Sequence, residues 1–415
     1  MVFIKYYTLY CDLFTTFVIP NKNNNMKRLT SFLCASLMIQ TMSAQTFIQA
    51  YKDRADMVTQ ANITTNLQEF GNFGIKKTGS TANANALNWI KNKYLAYGYT
   101  ASQIEESPFT YGSVSSKNLI ITKTGTLYPN KFVIICGHFD TINGPGVNDN
   151  GSGTSIILEA ARILKNVPTE YSIKFIHFSG EEQGLIGSSH YVNNVVYQGG
   201  VRKLDIKLVF NLDQVGGVKG NNNNTVYCDE DQGGVSSNNS ASAAVTQQLR
   251  NCTALYSPLQ TAVDPAEDTD YIPFERKGEV ITGFFERIRS SYPHTTQDTF
   301  ANVDPVYVYN IGKATVGALQ HFATASTTLA VSKTASQNPL ESIRLYPNPA
   351  SNILTIELPD KTANFSFEIT NISGRTLLKV NNEARINVSA LERGVYIGIL
   401  KIGDQTLVKN ILIER

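Results

Sequence analysis

The sequence predicts an α/β fold, with a mixed, largely parallel central sheet flanked by helices, followed by a small all-β sandwich. Three observations carry this. Between residues 46 and 325, strand-like apolar runs alternate with stretches of helical spacing. Between 326 and 340 the composition turns small and polar, as in Ser332-Lys333-Thr334-Ala335-Ser336-Gln337-Asn338-Pro339. From 341 onward the apolar period becomes two. A length of 415 residues accommodates two or three domains.

In chain order, residues 1–44 read as targeting rather than fold. From Met26, Lys27 and Arg28 precede an apolar stretch, Leu29 to Met42, and then Ser43-Ala44-Gln45. That is the layout of a secretory signal peptide behind an upstream extension, with translation expected to start at Met26. Its apolar core is too short to span a membrane, and nothing later in the sequence reaches spanning length. Asn88 to Tyr97 suits a helix ended by Gly98. Lys131 to Cys136 reads as a strand buried on both faces. Thr154 to Val167 is a helix, Ser172 to Phe178 a strand, Leu185 to Val195 a helix and Ile206 to Leu212 a strand. Val280 to Phe285 is a further strand, and Val306 to Phe322 a closing helix. After the linker at 326–340, six short strands are expected in 341–415: 354–358, 365–369, 376–380, 385–388, 395–402 and 406–413.

The net charge of +2 supplies no basic field for nucleic acid. Of five cysteines, Cys11 and Cys34 fall in the targeting region, and no CxxC pair suggests a cysteine-built zinc site. A Cys228–Cys252 disulfide is open, since sequence gives no distance between them.

Ligands in an open parallel sheet bind beyond the carboxyl ends of its strands. The polar residues there are His138 and Asp140, then Asp149, then Glu181 and Glu182, then Asp213, and finally His294 and Asp298. Imidazole nitrogen and carboxylate oxygen suit zinc, and a catalytic site keeps one position open. Two ions can share one carboxylate and divide the work of polarising substrate and activating water. Five side chains then suffice: His138, Asp149, Glu182, Asp213 and His294. Glu181 is left over for proton transfer. Phe284 and Phe285 could line a pocket for an apolar side chain, but at least one should face inward as core, and the acids Asp264, Glu267, Asp268 and Asp270 read as a solvated loop that could also offer acceptors to an ammonium group.

The strings Gly137-His138-Phe139-Asp140, Asn148-Asp149-Asn150-Gly151-Ser152-Gly153, Ser179-Gly180-Glu181-Glu182-Gln183-Gly184, Asn211-Leu212-Asp213 and His294-Thr295-Thr296-Gln297-Asp298-Thr299 resemble, in order, those of the M28 zinc peptidases. The resemblance implies a zinc-peptidase sandwich over 45–325 and aminopeptidase activity on peptides with a free N-terminus. It implies two Zn2+ per chain, one held by His138, Asp149 and Asp213, the other by Asp149, Glu182 and His294. Glu181 matches the general base and Asp140 the residue orienting the His138 ring, while Tyr292 is a candidate for stabilising the oxyanion. Gln214 stands where many relatives carry Met. Glutaminyl cyclisation on the same fold, with one zinc, is an alternative. Those cyclases carry Trp before the last His ligand, where this chain has Pro293. A non-catalytic peptide-binding module is another.

Leu345-Tyr346-Pro347-Asn348-Pro349-Ala350, Gly394-Val395-Tyr396 and Lys409-Asn410-Ile411-Leu412 resemble the sorting domain of type IX secretion. That resemblance implies export through the periplasm to the cell surface or medium, with 341–415 engaging the secretion machinery.

Overall fold

The computed structural model describes residues 45–328, 343–358, 364–371, 375–403 and 405–414. The expected signal peptide, with Cys11 and Cys34, lies outside the described residues, as do 329–340 of the expected linker.

The first elements are helices α1 (Gln49–Ala55), α2 (Gln60–Gly71) and α3 (Thr81–Ala96), then strands β1 (Ile104–Tyr111), β2 (Val114–Lys123) and β3 (Tyr128–His138). Helix α4 (Gly151–Leu164), β4 (Tyr171–Phe178) and α5 (Ile186–Tyr191) follow. Two-residue strands β5 (Tyr197–Gln198) and β6 (Val201–Arg202) pair with each other, and β7 (Asp205–Leu212) and β8 (Thr225–Glu230) come next. Then come α6 (Ser236–Tyr256), β9 (Gln260–Pro265), α7 (Ile272–Glu275), β10 (Ile281–Glu286) and α8 (Pro305–Phe322). Eight strands form one sheet in the order β1-β2-β4-β3-β7-β10-β8-β9. The centre, β4-β3-β7-β10, is parallel, while β1, β2 and β8 join antiparallel.

Side chains alternate across a strand, so each central strand feeds two cores. Val133, Ile135, Phe175 and Phe210 pack with the long helices. Ile134, Cys136, Ile176 and Val209 pack on the other face with Tyr191, Tyr271 and Phe274. Burial on both faces explains why β3, β4 and β7 are nearly continuous apolar runs. Helix starts follow side-chain caps: Ser80 accepts from Asn83 N, Asn150 from Gly153 N, and Asp304 from Val306 N ahead of α8, with Pro305 at its first position.

The ends of this part of the chain meet. Buried Arg54 donates to the Ser326 carbonyl at 2.7 Å, the Thr328 carbonyl at 2.6 Å and Gln320 Oε1 at 3.1 Å. The Tyr51 hydroxyl donates to the Ala325 carbonyl. Ser326 and Thr328, expected in the linker, are therefore still gripped by α1.

In the C-terminal part, β11 (Arg344–Tyr346), β12 (Ile353–Glu357) and β15 (Arg385–Asn387) form one sheet. The other contains β13 (Ser366–Thr370), β14 (Thr376–Asn381), β16 (Gly394–Ile402) and β17 (Gln405–Ile413). Leu354, Ile356, Phe367, Ile369 and Ile411 share one core between them. Cys228 and Cys252 are free, buried thiols. Among the described residues, no helix is long and apolar enough to cross a membrane.

His177 on β4 is fully buried, with Nε2 2.9 Å from the Tyr94 hydroxyl. Burial brings its ring down from 6.5 to about 3. As pH falls the unfolded chain takes the proton first, so this site's contribution is complete above about 6.5 and is lost toward pH 3. Folding stability should drop by about 2 kcal/mol at pH 5 from this ring alone. Urea unfolding across pH 5–8 should therefore show a flatter pH slope for His177→Gln. An unchanged slope would exclude the assignment.

Candidate metal centre

Because β4, β3 and β7 are adjacent and parallel, with His138 level with Phe178 and Cys136 with Asn211, their carboxyl ends open on one rim. His138 ends β3, Glu181 and Glu182 follow β4, and Asp213 follows β7. Asp149 sits before α4, on a loop that Asn150 locks by capping Gly153 N and donating to the Leu212 carbonyl at 2.8 Å. His294 comes from the loop after β10, with its backbone in the left-handed region (φ 59°), which L-residues adopt at a cost.

All five candidate ligands converge. His138 Nε2 lies 3.1 Å from Asp149 Oδ1 and 3.4 Å from Asp213 Oδ1. His294 Nε2 lies 3.1 Å from Asp149 Oδ2 and 2.9 Å from Glu182 Oε2. Two groups result, His138–Asp149–Asp213 and Asp149–Glu182–His294, each with donor atoms within 4.8 Å of one another. Asp149 belongs to both, one oxygen to each.

His138 Nδ1 is 3.0 Å from the main-chain carbonyl of Asp140. A carbonyl only accepts, so Nδ1 carries a proton and Nε2 is turned toward two carboxylates, and the surrounding acids hold the ring's pKa up despite its burial. Nε2 is buried and makes no hydrogen bond. Facing two acids, Nε2 calls for a positive charge between them, a proton or a metal ion, and the mixed nitrogen and oxygen donors of the two groups fit a divalent metal. Three protein donors per group also leave room for a further ligand.

The surrounding hydrogen bonds fix the donors. The Thr269 hydroxyl donates to Asp213 Oδ2, leaving Oδ1 for the cluster. Asp298 accepts from Asn148 N at 2.7 Å and Asp149 N at 3.0 Å. Asp140 behaves differently from the sequence expectation: its carbonyl meets the His138 ring, while its carboxylate lies 3.7 Å away. That carboxylate accepts instead from the amides of Glu181 and Glu182, each at 3.3 Å, and from Thr78 at 3.1 Å. Fully buried Lys76 donates to the carbonyls of Phe70, Gly74 and Pro145, at 3.3, 2.9 and 2.6 Å, bracing the loop that leads to Asp149.

The electrostatics follow from burial among acids. Burial raises the Glu181 carboxyl, His138 opposes, and Asp213, Asp270 and Asp140 add to the rise. Glu182 is raised by burial and by Asp149. Asp149 moves down despite burial because both imidazoles face it. Glu181 Oε2 stands 3.8 Å from His138 Nε2, beside the donors but outside both groups.

Tyr292 enters the turn through main-chain atoms, its carbonyl accepting from Thr295 N at 3.0 Å. Phe284 is fully buried against Phe210, as expected of a core residue. The acidic stretch divides. Asp264 and Glu267 pair with Arg289, but Asp270 is fully buried, not solvated, and influences Glu181. Thr269, Thr78 and Glu286 were not singled out from sequence, and Asp270 was named only as one acid of a solvated loop. Thr269 and Asp270 sit in a run whose acid density resembles a surface loop.

The fold and the twin donor groups define a class, a candidate metal-binding site at the carboxyl ends of the strands of an α/β sheet. Residues 118–318 match the model of Peptidase family M28, and 344–414 that of a secretion system C-terminal sorting domain. The first match takes in the central strands and all five candidate ligands, and the second takes in the strands of the C-terminal part. It is 44% identical over 104 residues to Aminopeptidase YwaD of Bacillus subtilis, a stretch covering 25% of this chain and 22% of that protein. The chain thus spans about a fifth of the length of that curated relative. The structure resembles that of the LapA aminopeptidase of Legionella pneumophila, with a TM-score of 0.56, 21% identity and coverage of 66% and 75%. It also resembles a Bacteroides thetaiotaomicron glutaminyl cyclase bound to N-acetylhistamine, with a TM-score of 0.52, 15% identity and coverage of 63% and 97%.

Gly144 packs so closely on the turn carrying His294 that an added Cβ would lie 1.8 Å from the Thr295 carbonyl oxygen. Gly144→Ala should displace that turn and weaken metal binding by about tenfold or more, as disturbed ligand supports do. Competition with a chromophoric chelator measures this, and wild-type affinity would show that the turn absorbs the methyl.

Proposed function

We propose that the chain is a secreted aminopeptidase that holds two zinc ions and removes residues from the free amino ends of peptides. The observation that carries this reading is Asp149, whose two oxygens face His138 and His294 separately. In this reading His138, Asp149 and Asp213 hold one ion, and Asp149, Glu182 and His294 the other. Such ions supply Lewis acidity at the scissile carbonyl and make water acidic enough to react near neutral pH. Glu181 accepts the proton of the attacking water and returns it to the departing amine. Asp140 fixes the main chain that presents Glu181, and Tyr292 is the candidate to face the developing oxyanion. The likeness to Aminopeptidase YwaD and the match to the peptidase family model support the activity. The sorting domain supports export by type IX secretion to the cell surface or medium.

The fold alone does not separate hydrolysis from glutaminyl cyclisation, given its likeness to a cyclase. The presence of two donor groups favours hydrolysis, because a cyclase of the single-zinc kind needs only one. Purified protein should cleave leucine p-nitroanilide, lose activity to a chelator, regain it with Zn2+ and ignore N-blocked peptides. Turnover of glutaminyl peptides in place of the anilide would reverse the choice. Glu181→Ala should lower kcat by at least about 10²-fold with zinc content near wild type. Full activity in that variant would remove Glu181 from the mechanism.

We also place the catalytic domain at 45–325, the linker at 326–340 and the sorting domain at 341–415. A fragment of 45–328 should fold and cleave alone. A fragment of 45–325 should be less stable by about 1–3 kcal/mol, because two carbonyl partners of buried Arg54 are lost. Thermal unfolding compares the two, and equal stability would show that the grip contributes nothing.

A further inference from the structure

Glu286, the last residue of β10, is fully buried, and its side-chain partners are all neutral N–H donors. Its Oε1 accepts from Asn148 Nδ2 at 3.0 Å, Gln214 Nε2 at 3.0 Å and Ser290 N at 2.8 Å. Its Oε2 accepts from Asn148 Nδ2 at 3.0 Å and Gly217 N at 2.7 Å. These donors come from three separate segments. Asn148 precedes Asp149. Gln214 follows Asp213, and Gly217 lies just beyond. Ser290 opens the loop that delivers His294. One carboxylate therefore ties together the segments that present Asp149, Asp213 and His294. Gly216 N, which donates to Asn148 Oδ1 at 2.7 Å, closes the ring between the first two.

We infer that Glu286 is a positioning residue that couples the two metal groups, setting the spacing of Asp213 and His294 about the shared Asp149. This rests on the two-metal reading above. The physical reason is donor–acceptor matching. Burying a carboxylate is costly, and here the return is an acceptor pair that can satisfy several N–H groups at once. A glutamine of the same shape cannot replace it, because whichever way its amide turns, an N–H meets N–H donors. Removing Glu286 should then loosen both groups together. Losing the Thr269 hydroxyl, which bears on Asp213 alone among the five ligands, should weaken mainly one.

The test uses the full chain as wild type, Glu286→Gln, Thr269→Val and the exchanged pair Asn148→Asp/Glu286→Gln. In the pair, the glutamine N–H donates to the new carboxylate, which still accepts from Gly216 N. Chelator competition reads the two zinc affinities, and the visible absorption of the Co2+-loaded protein reads donor geometry without turnover. Glu286→Gln should weaken both affinities in parallel by about 10- to 100-fold and change the cobalt spectrum. Thr269→Val should lower one affinity, and the exchanged pair should recover part of both. If Glu286→Gln does not fold, Asn148→Ser removes the donor that spans both oxygens and should show a smaller parallel loss. Wild-type affinities and spectrum in folded Glu286→Gln, or loss at one site alone, would overturn the coupling role. Failure of the wild-type protein to bind two ions would instead overturn the two-metal reading on which it rests.

Discussion

The Asp149 carboxylate faces two imidazoles at once, and most of the rim is organised so that it can. Its backbone amide and that of Asn148 are held by Asp298, its following residue caps α4, and its preceding loop is braced by the buried Lys76 ammonium. The supports come from separate parts of the chain: Lys76 between α2 and α3, Asn150 at the head of α4 and Asp298 in the loop before α8. Asp149 is therefore in place only when these segments are packed together.

The same arrangement concentrates buried acids. Asp140, Asp149, Asp213, Asp270, Asp298 and Glu286 are all buried near one end of the sheet. Asp140, Asp213, Asp298 and Glu286 accept from N–H and O–H donors such as Thr78, Thr269 and the amides of 148, 149, 181 and 182. Dipoles of this kind stabilise a carboxylate without cancelling its charge, so the cluster retains attraction for a cation. A lysine among the donors would neutralise the acids and blunt that attraction. Buried Lys76 gives its three N–H groups to carbonyls and acts on Asp298 and Asp140 only through space.

Much of this was legible in the sequence. β3, β4 and β7 announce themselves as apolar runs because both faces are covered, and the period-two strands of the C-terminal part fall within a residue or two of their expected places. The five donors stand where parallel strands end, a position that order along the chain reveals. Helix α6 was not legible: its start, Ser236-Ser237-Asn238-Asn239-Ser240, is as polar as a loop and becomes helical because Leu249, Cys252 and Tyr256 farther on are buried. The edge strands β1 and β9 carry mixed polarity and were missed for a similar reason, and their inner neighbours β2 and β8 were missed with them. Supporting residues such as Thr269 and Glu286 leave no local pattern, since their partners are 56 and up to 138 positions away.

The grip of Arg54 on Ser326 and Thr328 fixes where the chain leaves its catalytic part. Ser326 N bonds the Pro168 carbonyl and Glu170 N the Thr324 carbonyl, beside the first residue of β4, whereas the metal rim lies past its last. The length of that strand, about 25 Å at 3.3 Å per residue, separates the departure point from the rim that carries the candidate ligands. Cargo or membrane attached downstream of Thr328 would be tethered from the rear, and a cut there would leave the working face untouched.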